Sequence, residues 1–383
     1  MHQKQRRLPA ACLILVILLF SLSGRTHPRA TLPAWRLPTG ALNAITDVPG
    51  VRVGHVTLSS EEPVRIRTGV TAIVPHSGNL ATQAVWAAGR MLNGNGELTG
   101  LAFINDTGLL NAPILLTNTL AIGAVHTGVM DFYRKHHPGD TPDSTEWPGQ
   151  LPVVGECWDG YFNTIEHPNV IQPGHGVQAL ETAGGGPVAT GRVGAGTGMR
   201  SFELHAGIGT ASRTVPIGGQ RFTLGVLVNS NHSRLEQLSP SVRQALEQAL
   251  GRSLESIRTQ DNADRARRAD SSGPRQGSII IIVATDAPLN PTALDALCRR
   301  AVLGIGAMGG VMNTTSGDGV IAFSTARLVR VGPGAAQTVD ATTLHPDTLT
   351  PLYEAVAEAV TEAQMNAILS AHPLRNKQPL SKR

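Results

Sequence analysis

The clearest opportunity for chemistry lies where a polar segment meets an apolar one, at Gly277-Ser278. Residues 251–277 are charged and polar, and the chain then runs straight into Ser278 followed by Ile279, Ile280, Ile281, Ile282 and Val283. A serine hydroxyl that attacks the carbonyl of the residue before it cuts the chain in front of itself. Glycine at that preceding position can hold the strained conformation the attack requires. Cleavage leaves Ser278 with a free α-amine, which titrates near roughly 7.7–8.0 in model peptides. Desolvation lowers that value, and the amine then serves as base for its own hydroxyl, with no histidine needed. A Gly-Ser pair alone is also a common turn, so the assignment needs a second cluster. One exists at Asn313-Thr-Thr-Ser316-Gly-Asp318, where extended backbone sets Ser316 and Asp318 on one face through its period of two. A carboxylate there can orient a hydroxyl and an ammonium together. An ordinary turn before a strand is the alternative reading of the same residues.

Elements must hold these groups in place. The run from Ser278 to Ala284 is so apolar and β-branched that it predicts a central strand covered on both faces. Phe222, Leu224, Val226 and Val228 alternate with Thr223, Gly225, Leu227 and Asn229, which predicts a strand ending in polar Asn229 and Asn231. Residues 41–76 predict strands and hairpins, and a further strand spans about Val320 to Thr325. Between Asn111 and His137 the apolar spacing of Leu120, Ala124, Val125, Val129 and Phe132 predicts a long core-facing helix. Ser239-Pro240 opens another helix, with Ser239 as N-cap. One more helix lies around Pro291 to Leu303, and Leu352–Leu369 predicts a closing amphipathic one. Residues 251–277 predict a mobile polar surface segment before the junction, and the last residues a frayed tail.

Composition excludes several classes. With 42 glycines, 25 prolines and only 4% aromatics, the chain is built of turns and close backbone contacts, and a helical bundle is unsupported. Lys4, Arg6 and Arg7 precede an apolar run from Ala10 to about Leu22, the layout of a secretory signal or N-terminal anchor over residues 1–27, so export, to the periplasm, is expected. Removing Lys4, Arg6, Arg7 and Arg25 from the 32 basic residues leaves 28, equal to the 28 acidic ones. The mature chain therefore offers no basic patch for nucleic acid or anionic lipid, and a small-molecule partner is expected. Cys12 falls in the leader, and Cys157 and Cys298 make no disulfide framework. The histidines form neither HExxH nor HxxxH, so a metal site is unsupported. The glycines from Gly194 to Gly198 lack the third glycine of a dinucleotide fingerprint and read as structural or pocket-lining.

A resemblance covers most of the chain. RTGVTAIVPH, the GAGTGM loop, GVLVNSN, GSIIIIVATDAPL and the SGD segment leading into IAFSTA occur in the order found in DmpA-type aminopeptidases and β-aminopeptidases. The resemblance implies an αββα sandwich with an N-terminal-nucleophile arrangement. It further implies synthesis as one precursor, cut into an α chain (28–277) and a β chain (278–383) that stay together. It implies a cofactor-free aminopeptidase acting on small peptides, amides or esters through an acyl-enzyme, assembled as a tetramer of processed units. Ser278 would be the nucleophile, Ser316 and Asp318 would orient it and its amine, and Asn231 would offer its amide to the oxyanion. The family carries Glu or Asp at the position of Asp318. Glu156, in VVGECWDGY, matches the acidic residue that faces the substrate's free amine, with Trp158 and Tyr161 as candidate pocket wall and Cys157 where Thr is usual. Two rivals remain: an acyltransferase of the same fold, which would use threonine, and a non-catalytic periplasmic binding protein.

Overall fold

The computed structural model describes residues 35–137, 151–167, 169–265, 277–332 and 335–372. The expected leader, the last residues before the junction (266–276) and the closing tail lie outside them.

In chain order the first strands are β1 (Arg52–Ser60), β2 (Ile66–Val74) and β3 (Gln83–Gly94), followed by helix α1 (Leu101–Thr107). Then come β4 (Leu109–Leu110), β5 (Ile114–Thr117), α2 (Ile122–His136), β6 (Val153–Glu156) and α3 (Pro173–Glu181). Short β7 (Arg200–Ser201) and β8 (Leu204–His205) precede the long β9 (Gly207–Ile217) and β10 (Gln220–Asn231). Helices α4 (Pro240–Leu250) and α5 (Leu254–Arg265) lead to β11 (Gly277–Thr285), α6 (Pro291–Met308), β12 (Ser316–Arg330) and α7 (Thr350–Ala371).

Two sheets stack between two helical layers, the αββα arrangement the resemblance implied. One sheet has four strands in the order β1-β2-β5-β6, the other six in the order β4-β3-β12-β11-β10-β9. Period-two alternation in β11 shows how one strand serves both sides. Ile279, Ile281 and Val283 pack toward α6 and α7 with Leu294, Leu297 and Val356. Ile280, Ile282 and Ala284 face the other sheet with Ile73, Ile114 and Leu116. All are buried, as a central strand requires. On the outer face of the four-stranded sheet, Val70, Ala72 and Leu115 pack with Val125 and Val129 of α2 and Ala179 and Leu180 of α3.

Several elements differ from the sequence expectation. The apolar stretch at Ile114–Thr117 is a strand, and the helix begins only at Ile122; a short apolar run cannot by itself distinguish the two. Leu120, expected on the core side, is exposed. Within the polar stretch, Leu254–Arg265 forms α5, anchored by buried Asp261, which accepts hydrogen bonds from the backbone N–H of His205 (2.7 Å) and, across 2.8 Å, from His372. Ser239 precedes α4 as expected, but its hydroxyl donates to the Ala307 carbonyl instead of capping. The closing helix α7 is buried nearly all round rather than amphipathic: Glu362 pairs with buried Arg213 at 2.6 Å, and Gln364 meets His232 at 2.8 Å. The strand expected from Val320 starts four residues earlier, at Ser316, which places the whole Ser-Gly-Asp segment inside the sheet.

Candidate active site

The ends of three other strands converge on Ser278 at the head of β11. β10 finishes at Asn231, which sits directly opposite Ser278 in an antiparallel pairing. On the other side β12 runs parallel, with Gly277 opposite Ser316 and Ser278 opposite Gly317. Asn93 and Gly94, closing β3, lie against Asp318 and Gly317. The register thus brings together Gly277, Ser278, Asn231, Ser316 and Asp318, all of the residues expected to act on the scissile bond. The side chains of Ser278, Asn231, Ser316 and Asp318 are buried.

The Asn231 amide is held in one orientation. Its Oδ1 accepts the backbone N–H of Arg200 at 2.8 Å, a bond only an acceptor can make. Its Nδ2 therefore points the other way, donating to the Trp158 carbonyl at 2.7 Å and lying 3.3 Å from Ser278 Oγ. A fixed N–H beside the hydroxyl is what an oxyanion donor requires. Ser316 Oγ donates to Asp318 Oδ1 at 2.6 Å, which leaves the Ser316 oxygen free to accept from an ammonium. Burial pushes the Asp318 carboxyl above its usual range, opposed by hydrogen bonds from Ser316, Asn93 and the Ile279 backbone.

Glu156 reaches this cluster from the other sheet. It ends β6, its Oε1 accepts the Glu97 N–H at 3.2 Å, and its Oε2 accepts from Thr119. A Cβ on Gly317 would strike Asn95 O and Gly96 Cα at 2.5 Å, and one on Gly96 would come within 3.0 Å of Glu156 Oε1. Only paired glycines allow this close approach, which sets Glu156 beside the residue opposite Ser278. Burial raises the Glu156 carboxyl, opposed by its bonds to Thr119 and the Glu97 backbone. A carboxylate so desolvated gains strongly from an incoming cation.

Neighbouring Cys157 is wholly buried and donates to the Asn229 carbonyl at 3.5 Å. Desolvation and the charge of Glu156 push its thiol well up, so it stays protonated and does not compete as nucleophile. A cavity of about 250 Å³ opens at the site, walled by Tyr161, Arg200, Asn231, Arg234 and Gly277 among others. The Tyr161 ring, a candidate pocket wall from the sequence, lines this cavity. Trp158 packs edge-on against the Tyr161 ring, with centroids 4.9 Å apart, and serves the site chiefly through its carbonyl. Sequence reasoning missed Arg200, Glu203 and Arg234 on the wall and Asn93 and Thr119 as partners of the two carboxylates. The one available signal was the polar His232-Ser233-Arg234 run directly after the strand that ends in Asn231.

Comparison with known proteins shows the family to which a chain of this fold belongs. The sequence profile of peptidase family S58 matches residues 43–380. The β-peptidyl aminopeptidase BapA of Sphingosinicella microcystinivorans is 37% identical over 343 residues, 88% of this chain and 83% of that protein. Among solved structures, a Burkholderia β-aminopeptidase superposes with a TM-score of 0.73 at 38% identity, covering 87% of this chain and 88% of that one. The L-aminopeptidase D-Ala-esterase/amidase of Ochrobactrum anthropi, described as a variant of the Ntn hydrolase fold, reaches 0.76 at 35% identity, covering 90% and 91%. A serine set at the start of a central strand, opposite a fixed amide, in a chain matched nearly end to end by such enzymes, has one interpretation: the protein belongs to peptidase family S58 and is an N-terminal-nucleophile aminopeptidase.

Proposed function

We propose that the chain is cut between Gly277 and Ser278 and that the freed Ser278 removes N-terminal residues from small peptides, amides or esters. The supporting observation is the juxtaposition at the head of β11: Ser278 buried between the Asn231 amide on one flanking strand and Ser316-Asp318 on the other. The Ser278 α-amine takes the proton of its own hydroxyl as Oγ attacks the substrate carbonyl. The oxyanion forms against Asn231 Nδ2, while Ser316, aligned by Asp318, accepts from the ammonium. Collapse returns that proton to the departing amine and leaves an ester on Ser278, which water then opens by the same steps in reverse. Glu156 holds the substrate's free ammonium. A slow acylating substrate tests the assignment: one equivalent should label the peptide that starts at Ser278, and inactivation by labelling elsewhere would remove the role. The reading extends to export by the N-terminal leader and to assembly of processed units into a tetramer, checked by N-terminal sequencing of the secreted fraction and by light scattering.

Two further outcomes follow. Glu156→Gln keeps an acceptor for the Glu97 N–H but removes the charge. It should lower kcat/KM for free-amine substrates by about tenfold or more while affecting N-blocked esters little; equal losses on both would take Glu156 out of recognition. Activity should also rise with pH as the Ser278 amine loses its proton, along a limb at or below roughly 8. The group acts as a base, so activity is lost as pH falls through its pKa. A rate that is flat from pH 5 to 9 would contradict self-activation.

A further inference from the structure

The cavity beside Ser278 carries charge that the steps above do not use. Arg200 and Arg234 face it with a single carboxylate, Glu203. Glu203 is already shared, 3.1 Å from Arg200 and 3.0 Å from Arg258. The Arg200 guanidinium also lies over the Tyr161 ring, 4.7 Å from its centroid. Arg234 is exposed; the charge of Glu236 acts on it, but that carboxylate is held by Arg258 at 3.2 Å. Arg234 follows Ser233, whose φ of 70° turns the chain sharply after β10, and its backbone N–H is pinned to Gln237 Oε1 at 2.8 Å. His232 on the same wall is neutral, its pKa lowered by burial to about 4. The cavity is therefore net positive.

Its position decides which part of a substrate it meets. Asn231 and Gly277 form part of the wall, so the cavity opens at the oxyanion donor and at the residue cut away from Ser278. Glu156 is not on that wall. It lies beside Gly96 and Gly317, on the β12 side of β11, whereas Asn231 lies on the β10 side. A substrate with its ammonium at Glu156 and its carbonyl oxygen at Asn231 extends its remaining part into the cavity. At about 250 Å³ the space falls below the ~300–1,000 Å³ of pockets for drug-sized ligands, which suits one residue or two and not a long chain.

We propose that this cavity receives the leaving group and that Arg234 binds its terminal carboxylate, so that the preferred substrates are very short peptides, dipeptides above all, with both ends free. The inference rests on the function proposed above and specifies the substrate class of the same site. A guanidinium matches a carboxylate with paired N–H donors, and fixing both ends of a dipeptide aligns the bond between them.

The test compares kcat/KM for a dipeptide with that for the same dipeptide as its C-terminal amide, using processed enzyme at low ionic strength. The wild type should favour the acid by roughly tenfold, the lower range for a hydrogen bond to a charged group. Added salt should shrink this ratio. Arg234→Gln should bring it close to one, and Arg234→Lys should keep part of it. A wild-type ratio of one or less, or a full preference in Arg234→Gln, overturns the inference. An amino-acid anilide, which keeps the free amine but has no carboxylate, separates this failure from that of the underlying function: anilide turnover without carboxylate preference rejects the role of Arg234 alone, whereas no turnover of any free-amine substrate rejects the reading of the whole site.

Discussion

Ser278→Ala should give a protein that folds, remains one uncut polypeptide and loses peptidase activity by about 10⁶, the scale on which a serine nucleophile's removal is felt. The fold should survive because the substitution deletes one buried hydroxyl, which accepts from the Asn231 amide at 3.3 Å. The backbone pairing of β11 with β10 and β12 does not depend on it. Both maturation and turnover should fail together, since the same oxygen attacks the Gly277 carbonyl in the precursor and the substrate carbonyl afterwards. Gel electrophoresis and an aminopeptidase assay read the two losses separately. A variant that is still cut at this position, or still turns over, would remove Ser278 from the mechanism. Cys157 offers no substitute, because its desolvated thiol stays protonated beside the Glu156 charge.

Asn231→Ala should lower kcat by roughly 10²–10³, the range measured for loss of one oxyanion donor, with little change in KM. The amide is pre-set before any substrate arrives: the Arg200 N–H on its oxygen and the Trp158 carbonyl on its nitrogen exclude the flipped orientation. The donor therefore needs no reorganisation as charge develops. The same bonds imply a stability cost, since alanine strands the Arg200 N–H inside the protein, worth about 1–3 kcal/mol. Thermal unfolding of the variant measures that loss independently of turnover. A folded variant with unchanged kcat contradicts the oxyanion assignment, and one that loses only KM would make Asn231 a binding residue.

Much of this site was legible in the sequence because its residues lie on strands. Period-two alternation placed β10, an unbroken β-branched run placed β11, and the abrupt change at Gly277-Ser278 marked where the core begins. Ser316 and Asp318 were readable for the same reason, although the strand holding them starts earlier than hydropathy suggests: glycines and polar residues hide a strand whose neighbours are backbone. What could not be read was long-range. Nothing near Glu156 announces that Thr119 and Glu97 bind it, and nothing near Asn231 announces Arg200. Those contacts arise where a second sheet and the β7-β8 hairpin fold back on the first. The cost of helix against strand is also too small to settle locally at Ile114–Thr117, which pairs in parallel with β6 once the tertiary fold is formed. Helix α5 escaped because its polar surface reads as loop, while two buried leucine and isoleucine side chains, Leu254 and Ile257, and the Asp261 bonds hold it down.

The central claim is that activity belongs to a serine with a free α-amine. Intact mass and N-terminal sequencing of a fully active preparation examine it directly. Two polypeptides are predicted, the smaller beginning Ser-Ile-Ile-Ile-Ile. Full activity from a chain still continuous through Gly277-Ser278 would contradict it.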